Sequence, residues 1–358
     1  MSETLMLNVH LDREQILQWL REEDPTRLEQ LWAMADSARA RFVGSAVHLR
    51  GLIEISNYCV RQCTYCGLRS SNGDLDRYRM TADEIIACAH RAVSLGHGTV
   101  VMQAGEDYGI GTTWLAEIIR RIKSETPLAV TLSLGERPTS DLATWRDAGA
   151  DRYLLRFETS EPRLFNIIHP PLPHQASDRI AILRQLRQLG YEVGSGIMVG
   201  IPGQTYDTVA DDIQLFRELD LDMIGIGPYI PHPHTPLGNG QITFGVPDYV
   251  QVPNTELMVY KAVALTRLMC PDANIPSTTA LATINKTNGR ELGLQRGANV
   301  VMPNLTPPQY RTLYQIYPGK ACITETGEAC NRCLRHRITS IQREVGAGPG
   351  GRRRQAVG

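Results

Sequence analysis

Two kinds of apolar pattern alternate along the chain between about residue 51 and about residue 303. Short runs rich in β-branched residues are typical of buried strands, and apolar residues three or four positions apart are typical of helices with one buried face. The runs that predict strands are 51–57, 98–103, 128–134, 152–158, 192–199, 223–228, 274–279 and 298–303. Strands that alternate with helices predict an α/β fold, and this number of strands predicts a complete (βα)8 TIM barrel.

Helix signals complete the predicted organisation. Thr81 and Glu84 form a capping box in front of an apolar stripe that stops at Gly96. Residues 12–43 predict two helices separated at Pro25, ahead of the first strand. We therefore expect an N-terminal helical cap in residues 1–50, the barrel in residues 51–303, a C-terminal extension that closes the barrel in residues 304–345, and a flexible, Gly-rich basic tail in residues 346–358, with a contact segment as the alternative for the tail.

Composition and charge narrow the class of protein. The 37 basic and 38 acidic residues give a net charge of -1, so the overall charge favours neither nucleic acid nor an anionic membrane surface. No stretch approaches the ~18 apolar residues of a membrane span, and the first residues show no signal-peptide pattern. We expect a cytoplasmic monomer, where reducing conditions favour metal binding or burial over disulfides for the eight cysteines.

Three cysteines, Cys59, Cys63 and Cys66, lie directly after the first predicted strand. Three soft ligands on one loop can hold three irons of a four-iron cluster and leave the fourth iron open. A structural zinc site prefers four ligands, and a catalytic zinc site normally includes histidine, which is absent nearby. Loops at this end of barrel strands form the active face. A catalytic four-iron cluster is therefore the favoured interpretation, with zinc or buried thiols as the alternative.

The spacing Cys-x3-Cys-x2-Cys, with Tyr65 before the last cysteine, resembles the signature of the radical S-adenosylmethionine (SAM) superfamily. The resemblance implies a 4Fe-4S cluster whose open iron binds SAM. In that superfamily an electron from the cluster cleaves SAM to a 5'-deoxyadenosyl radical, while the protein positions the cofactor and excludes water.

Groups for the rest of SAM are expected at the ends of the predicted strands. The segment 103–107 (QAGED) resembles the Gly-Gly-Glu segment of the superfamily, and Ala104 in place of the first glycine keeps the main-chain carbonyl. Glu158 and Arg179 suit the methionine group of SAM, or else form a structural ion pair. Small residues around Met198 suit an adenine base, or else a tight turn. The residues predicted to bind SAM on this basis are Gln103, Gly105, Glu106, Glu158, Arg179 and Met198.

Separated segments also resemble the HydE family, the radical SAM maturases of FeFe-type hydrogenase, from about residue 40 to about residue 354. Among them are 77–81 (RYRMT), 131–136 (TLSLGE) and 310–320 (YRTLYQIYPGK). The resemblance implies a barrel like that of biotin synthase and methylornithine synthase. It also implies a cysteine-ligated iron carbonyl and cyanide substrate supplied by HydG, with the HydF scaffold and a flavodoxin or ferredoxin electron donor as partners.

Polar residues inside the predicted barrel form the candidate substrate site. Several lie on or near the carboxyl halves of predicted strands, so hydroxyl groups and one cation would line a cavity that suits a carboxylate. They are Thr131, Ser133, Arg156, Thr278 and Thr279. By resemblance Arg156 and the threonine pair would hold anionic groups, and Tyr317 would lie near them. Ser133 and Tyr314 are predicted to contact SAM. The alternative for Thr278 and Thr279 is that they fill the barrel as β-branched residues.

The remaining cysteines fall into two classes. Cys322, Cys330 and Cys333 resemble a surface site at which some HydE proteins bind another cluster. They follow the last predicted strand, so we expect a second iron-sulfur cluster, or idle thiols, without a catalytic role. Cys88 and Cys270 stand alone and are predicted to be buried as small apolar side chains.

Two departures from the HydE pattern leave the substrate open. Phe157 stands where a histidine is common, and residues 237–253 form a longer loop, richer in Gly and Pro, than the family resemblance implies. That loop is either a lid, a partner surface or a passive insertion. Two other functions stay as alternatives, a mutase similar to methylornithine synthase and a non-enzymatic iron-sulfur carrier.

Overall fold

The computed structural model describes residues 11–173, 176–323 and 325–354. Two helices precede the sheet, α1 (Arg13–Arg21) and α2 (Pro25–Val43), as the sequence predicts. The carboxylates of Asp12 and Asp24 cap them, and Pro25 occupies the first turn of α2, where its missing N–H removes no helical hydrogen bond.

One parallel sheet forms the centre of the described chain. Its strands are β1 (Ala46–Ser56), β2 (Thr99–Ala104), β3 (Ala129–Ser133), β4 (Arg152–Leu154), β5 (Glu192–Val199), β6 (Met223–Pro228), β7 (Val300–Val301) and β8 (Glu344–Val345). The order across the sheet is β6-β5-β4-β3-β2-β1-β7, and β8 also pairs with β1. The predicted α/β class with a parallel sheet is confirmed, and β5 and β6 have the predicted bounds.

Helices connect the strands and cover one face of the sheet. They are α3 (Ala82–Ser94), α4 (Thr112–Glu125), α5 (Thr139–Asp147), α6 (Pro162–Ile168), α7 (Arg179–Gln188), α8 (Tyr206–Glu218), α9 (Glu256–Met269), α10 (Thr279–Ile284), α11 (Gly289–Gln295), α12 (Pro308–Arg311) and α13 (Gly327–Ser340). The predicted capping box of Thr81 and Glu84 opens α3. Helix α1 packs on α8 and α2 packs on α9, so the N-terminal helices add an outer layer. Among the described helices, none combines the length and the apolarity that crossing a membrane requires.

The prediction of a strand at 274–279 is wrong. Only isolated parallel bridges occur there, from Asn274 to β6 and from Pro276 to β7. Pro276 has no N–H to donate to a ladder, and Thr278 caps α10, which begins at Thr279. The two threonines therefore lie at a helix start and not on a strand. Regular strand pairing confirms the parallel sheet and does not confirm a complete eight-stranded barrel.

Side chains alternate across the sheet, which separates a core face from a cavity face. Ile53 and Met102 are fully buried in the core that the helices share. Glu54, Gln103 and Ser133 lie in register across β1, β2 and β3 and point to the opposite face. The cavity face is therefore polar near the carboxyl ends of these strands.

The C-terminal segment packs against the sheet, although its composition predicts a flexible tail. Its described part, 346–354, runs across the amino ends of the strands, where the Gly350 carbonyl accepts a hydrogen bond from Arg50 at 3.0 Å. The Arg352 guanidinium lies 2.8 Å from the carboxylate of Asp272. The prediction of a mobile tail is wrong for these residues, because fixed carbonyl and carboxylate partners satisfy the groups that composition alone assigns to solvent.

Candidate active site at the carboxyl ends of the strands

The loop after β1 carries the first three cysteines and is held by backbone hydrogen bonds to other loops. The Val60 N–H donates to the Glu106 carbonyl at 2.9 Å, and the Thr64 N–H donates to the Ile168 carbonyl at 2.9 Å. The Gly67 N–H donates to a carbonyl of the segment that follows α12, at 3.1 Å. The cysteine loop is thus fixed on three sides by protein alone.

The three thiols of this loop are enclosed to different degrees. Cys63 is buried, and Cys59 and Cys66 are half-buried. Burial raises the pKa of Cys66 to about 12 and that of Cys63 well above its usual range, so a bound metal would have to displace the thiol protons.

Three residues predicted to bind SAM lie together on the cavity face. The Gln103 side-chain amide donates to the Tyr314 hydroxyl at 3.2 Å, and Ser133 is in register with Gln103 on the neighbouring strand. Gly105 lies against the cysteine loop, since a Cβ at this position would be 2.2 Å from the Tyr58 carbonyl oxygen. Only glycine allows this close approach of two main chains.

Glu106 supports the cysteine loop with its side chain. One carboxylate oxygen accepts hydrogen bonds from Arg61 at 2.6 Å and from the Tyr108 hydroxyl at 3.0 Å. The other accepts the N–H of Glu136 at 3.0 Å. Both oxygens are engaged by protein, so a contact between Glu106 and SAM stays a prediction for its main chain.

Glu158 and Arg179, the predicted acid and guanidinium of the SAM site, do not pair with each other. Glu158 lies 3.0 Å from Arg156, and Arg179 lies 3.0 Å from Glu136. Strand β4 ends earlier than predicted, and Glu158 adopts a left-handed backbone conformation with φ of 62°. The alternative of a direct ion pair between the two predicted residues is therefore wrong.

The long loop at 237–253 contributes to the cover of the site. Phe244 of this loop packs in one apolar cluster with Met198 and Tyr65, the aromatic residue of the cysteine signature. The Leu237 N–H donates to the carbonyl of Thr64 at 3.0 Å. The loop is thus joined to the cysteine loop, which argues against a passive insertion.

The residues predicted to bind substrate differ in their burial and in their hydrogen-bond partners. The buried Thr131 hydroxyl has no hydrogen-bond partner among the described residues. Arg156 is half-buried and pairs with Glu158. The Thr278 hydroxyl donates to the Ile226 carbonyl at 3.3 Å, which places it at the end of β6. Burial raises the pKa of Tyr317 above its usual range.

Sequence reasoning missed a buried ion pair on the cavity face. The Lys320 ammonium pairs with the Glu54 carboxylate, which also accepts a hydrogen bond from Asn304 at 2.9 Å. The ammonium lies 5.2 Å from the ring centroid of Tyr314. The available signal was a charged residue at an inward position of a buried strand, and the partner is 266 residues away.

The second group of cysteines lies at a separate cavity of about 540 Å³. Cys330 and Cys333 belong to α13, and Cys322 precedes it. The Arg290 guanidinium lies 3.8 Å from the Cys322 sulfur, and another of its nitrogens is buried without a partner in the described chain. A hydrogen bond from Cys330 lowers the pKa of Cys322, and Arg290 lowers it further. The lone Cys88 and Cys270 are buried, as predicted.

Comparisons with known proteins agree with this geometry. Residues 53–216 match the model of the Radical SAM superfamily. The FeFe-hydrogenase maturase subunit HydE of Thermotoga maritima is 47% identical over 329 residues, 91% of this chain and 89% of that protein. The 3-methylornithine synthase of Methanosarcina barkeri is 28% identical over 287 residues, 80% of this chain and 77% of that protein. The crystal structure of methylornithine synthase (PylB) has a TM-score of 0.80 at 24% identity and covers 96% of both chains.

The parallel α/β sheet and the three-cysteine loop at the end of its first strand define a radical SAM enzyme. Within that superfamily, the identity of 47% over nearly the whole length shows that the chain belongs to the HydE family of FeFe-hydrogenase maturases.

Proposed function

We propose that this chain cleaves SAM at the loop after β1 and uses the radical to convert an iron complex during assembly of the di-iron subcluster of FeFe hydrogenase. The observation that carries the proposal is the loop with Cys59, Cys63 and Cys66 at the cavity mouth, fixed by other loops. A 4Fe-4S cluster bound there would supply the electron that cleaves SAM to methionine and a 5'-deoxyadenosyl radical. The three thiolates would hold three irons and leave the fourth for SAM.

The proposed SAM site combines a polar and an apolar side. Gln103, Ser133 and Tyr314 supply hydrogen-bonding groups on the cavity face, and the main chain at Gly105 is close to the cysteine loop. Met198 and the aromatic ring of Phe244 supply an apolar surface that suits a flat base. In this proposal Glu158 and Arg179 contact SAM, and each also positions the residue with which it forms an ion pair.

The proposed substrate is anionic and lies deeper on the cavity face. The unpartnered Thr131 hydroxyl and the Arg156 guanidinium offer donors to carboxylate, cyanide or carbonyl groups, and Thr278 and Tyr317 complete the proposed lining. Such a lining fits a cysteine-ligated iron carbonyl and cyanide complex, supplied by HydG. HydF and a flavodoxin or ferredoxin are the proposed partners.

The Thr131→Val variant should reduce hydrogenase maturation by about tenfold. In the proposal the Thr131 hydroxyl forms a hydrogen bond to the substrate alone, and valine replaces this hydroxyl with a methyl group of similar shape. The measurement is hydrogen evolution by apo-hydrogenase matured in vitro with each variant. Thr266→Val is the matched control, since the Thr266 hydroxyl is also buried without a partner in the described chain but lies on α9, away from the cavity. Equal activity of the Thr131 and Thr266 variants would remove Thr131 from the site.

A lysine mutase is the second candidate, because the chain shares its fold with methylornithine synthase. Such an enzyme needs a free carboxylate for the distal ammonium of lysine. Glu54 and Glu158 are carboxylates on or near the cavity face, and Lys320 and Arg156 already neutralise them. This pairing favours the maturase.

Two assays of one reconstituted protein decide between the candidates. The maturase proposal expects 5'-deoxyadenosine formation with dithionite and activation of apo-hydrogenase with HydG and HydF present. Turnover of lysine to methylornithine, without hydrogenase activation, would establish the mutase instead. Absence of SAM cleavage from protein that holds the cluster would leave only an iron-sulfur carrier.

We further propose that the second group of cysteines holds an iron-sulfur cluster without a catalytic role. The cavity beside Cys322, Cys330 and Cys333 is lined by Arg290 and Arg337, and such cations would offset the negative charge of a thiolate-ligated cluster. The unpartnered nitrogen of Arg290 supports an anionic occupant.

Serine at Cys322, Cys330 and Cys333 together should lower the iron content after reconstitution while SAM cleavage with dithionite stays within about twofold of the parent, because these residues lie outside the cavity face. Iron determination and 5'-deoxyadenosine assays check this, and a flavodoxin or ferredoxin donor tests electron delivery. Loss of SAM cleavage with both donors, in protein that retains the first cluster, would contradict the proposal.

The organisation of the chain supports two structural proposals. We infer that the sheet closes as a complete barrel through residues 274–276. This segment forms one isolated β-bridge to β6 and one to β7. We also retain the division into an N-terminal helical cap up to residue 50, the barrel in 51–303 and a closing segment in 304–345.

A further inference from the structure

A buried network of two guanidinium groups and two carboxylates begins inside the cysteine loop, at Arg61. Arg61 Nε lies 2.6 Å from Glu106, and its Nη2 lies 2.8 Å from Glu136. Arg179 Nε lies 3.0 Å from the other oxygen of Glu136. The side chains of Arg61 and Glu136 are 1% and 2% exposed. Two positive and two negative charges therefore balance in a buried site.

Glu136 lies at the centre of this network and joins four loops. Its carboxylate forms ion pairs with Arg61 of the loop after β1 and with Arg179 of the connection that follows β4, and it accepts a hydrogen bond from the Ser177 hydroxyl at 2.6 Å. Its N–H donates to Glu106 of the loop after β2. Glu136 itself follows β3. One residue, through its side chain and its N–H, thus relates the cysteine loop to three neighbouring loops of the candidate active site.

A metal ion explains this cluster less well than positioning does. Ligand atoms of Glu106, Glu136 and His169 lie within 4.8 Å of one another. The guanidinium groups of Arg61 and Arg179 already occupy the carboxylate oxygens and neutralise them. The network therefore holds its counter-charge in protein side chains.

We infer that Glu136 is a positioning residue whose carboxylate fixes Arg61, and with it the cysteine loop, relative to Arg179. The catalytic part of the inference rests on the proposed function, because it assumes that the loop holds the cluster that cleaves SAM. A neutral side chain at this position leaves one buried guanidinium uncompensated. The loop then loses one of its anchors, and the additional positive charge makes the midpoint potential of a cluster held there less negative.

Two variants of Glu136 and one matched control separate these effects. Glu136→Gln removes the charge and keeps the shape, whereas Glu136→Asp keeps the charge and shortens the reach. Asp222→Asn is the control, since Asp222 is also 2% exposed and pairs with Arg187 at 2.5 Å, but lies at the amino end of β6. General loss of stability from a broken buried ion pair should affect the control as much as Glu136→Gln.

The first measurement needs no metal: the rate at which iodoacetamide alkylates each cysteine of the metal-free protein, followed by mass spectrometry. Glu136→Gln should increase the alkylation rate of Cys63, which is 8% exposed, by about tenfold. Asp222→Asn and Glu136→Asp should react at close to the parent rate at Cys63. The buried Cys270 serves as the internal reference for global opening.

The second measurement uses the reconstituted protein. Glu136→Gln should shift the midpoint potential of the cluster to less negative values and slow SAM cleavage by 10- to 100-fold, the range typical of residues that orient ligands. Glu136→Asp should keep the parent potential and recover most of kcat, with any remaining defect in the KM for SAM.

The inference is overturned if Glu136→Gln matches Asp222→Asn both in Cys63 alkylation and in cluster potential. A parent protein that holds the cluster but does not cleave SAM would instead overturn the proposed function. The alkylation rates and the potential would still decide the role of Glu136 in that case.

Discussion

Alanine at Cys63 is expected to lower the formation of 5'-deoxyadenosine from SAM by at least about 100-fold. Cys63 is the most enclosed thiol of the loop after β1, and its neighbours Cys59 and Cys66 supply only two further thiolates. Two thiolates do not hold a four-iron cluster with one open iron, so the electron source for SAM cleavage is lost. The measurement is chromatography of the products after anaerobic reconstitution and reduction with dithionite.

The control for this variant is Cys88→Ala. Cys88 is as enclosed as Cys63, at 5% against 8% exposure, but it lies on α3 and its thiol faces the Leu305 carbonyl at 3.5 Å. The control should bind iron and cleave SAM like the parent after correction for folded protein. A Cys63→Ala protein that cleaves SAM at the parent rate would show that the loop after β1 is not the catalytic site.

The sequence predicts the strands best where a run holds apolar and small residues and no proline lies inside it. The bounds of β5 and β6 follow directly from such runs, and the cap at Thr81 follows from local spacing. The segment 274–279 is rich in β-branched residues, but Pro276 cannot donate to a neighbouring strand and Thr278 caps a helix. Local conformational limits therefore override the preference of β-branched residues for strands there.

Some residues of the candidate site are predictable from short local motifs, whereas others depend on contacts between residues distant in sequence. The three cysteines and Gly105 are recognisable because their chemistry depends on a few consecutive residues. The ion pairs of Glu136 with Arg61 and of Glu54 with Lys320 join residues far apart in sequence, and charge alone does not predict which partner each residue will have. Only the fold brings those pairs together, so the network behind the cysteine loop could not be predicted.

The tail shows how composition misleads when fixed partners exist elsewhere in the fold. Its glycines, which suggested flexibility, permit close passage: a Cβ on Gly350 would lie 2.4 Å from Cγ of His48. Gly348 and Gly350 also have positive φ values of 70° and 58°. The charge of the basic residues suggested exposure to solvent. Arg352, one of them, instead forms ion pairs with three carboxylates.

Deletion of residues 346–358 is therefore expected to destabilise the protein by about 2–4 kcal/mol, because it leaves a buried guanidinium without its carbonyl partner and removes a cation from partly buried carboxylates. The buried Arg50 would lose its bond to the Gly350 carbonyl, and Asp222, which is 2% exposed, would lose Arg352 while it keeps Arg187. In a protein of 358 residues such a change lowers Tm by roughly 3–5 °C, because the entropy of unfolding is about 2.1 cal/mol/K per residue. Calorimetry of the metal-free protein measures it without interference from the cluster.

Shorter changes locate the effect within the segment. Deletion of residues 355–358 alone should leave Tm within about 1 °C of the parent, because the guanidinium of Arg352 and its partners remain. Arg352→Met should reproduce much of the loss, since this side chain lies 2.7 Å from Asp220 and 2.8 Å from Asp272 and is 11% exposed. Arg353→Met is its matched control, an exposed neighbour of equal charge. If the protein that lacks residues 346–358 has the same Tm as the parent, the segment contributes no stability. The ion pairs at the amino ends of the strands are then as weak as those on an exposed surface.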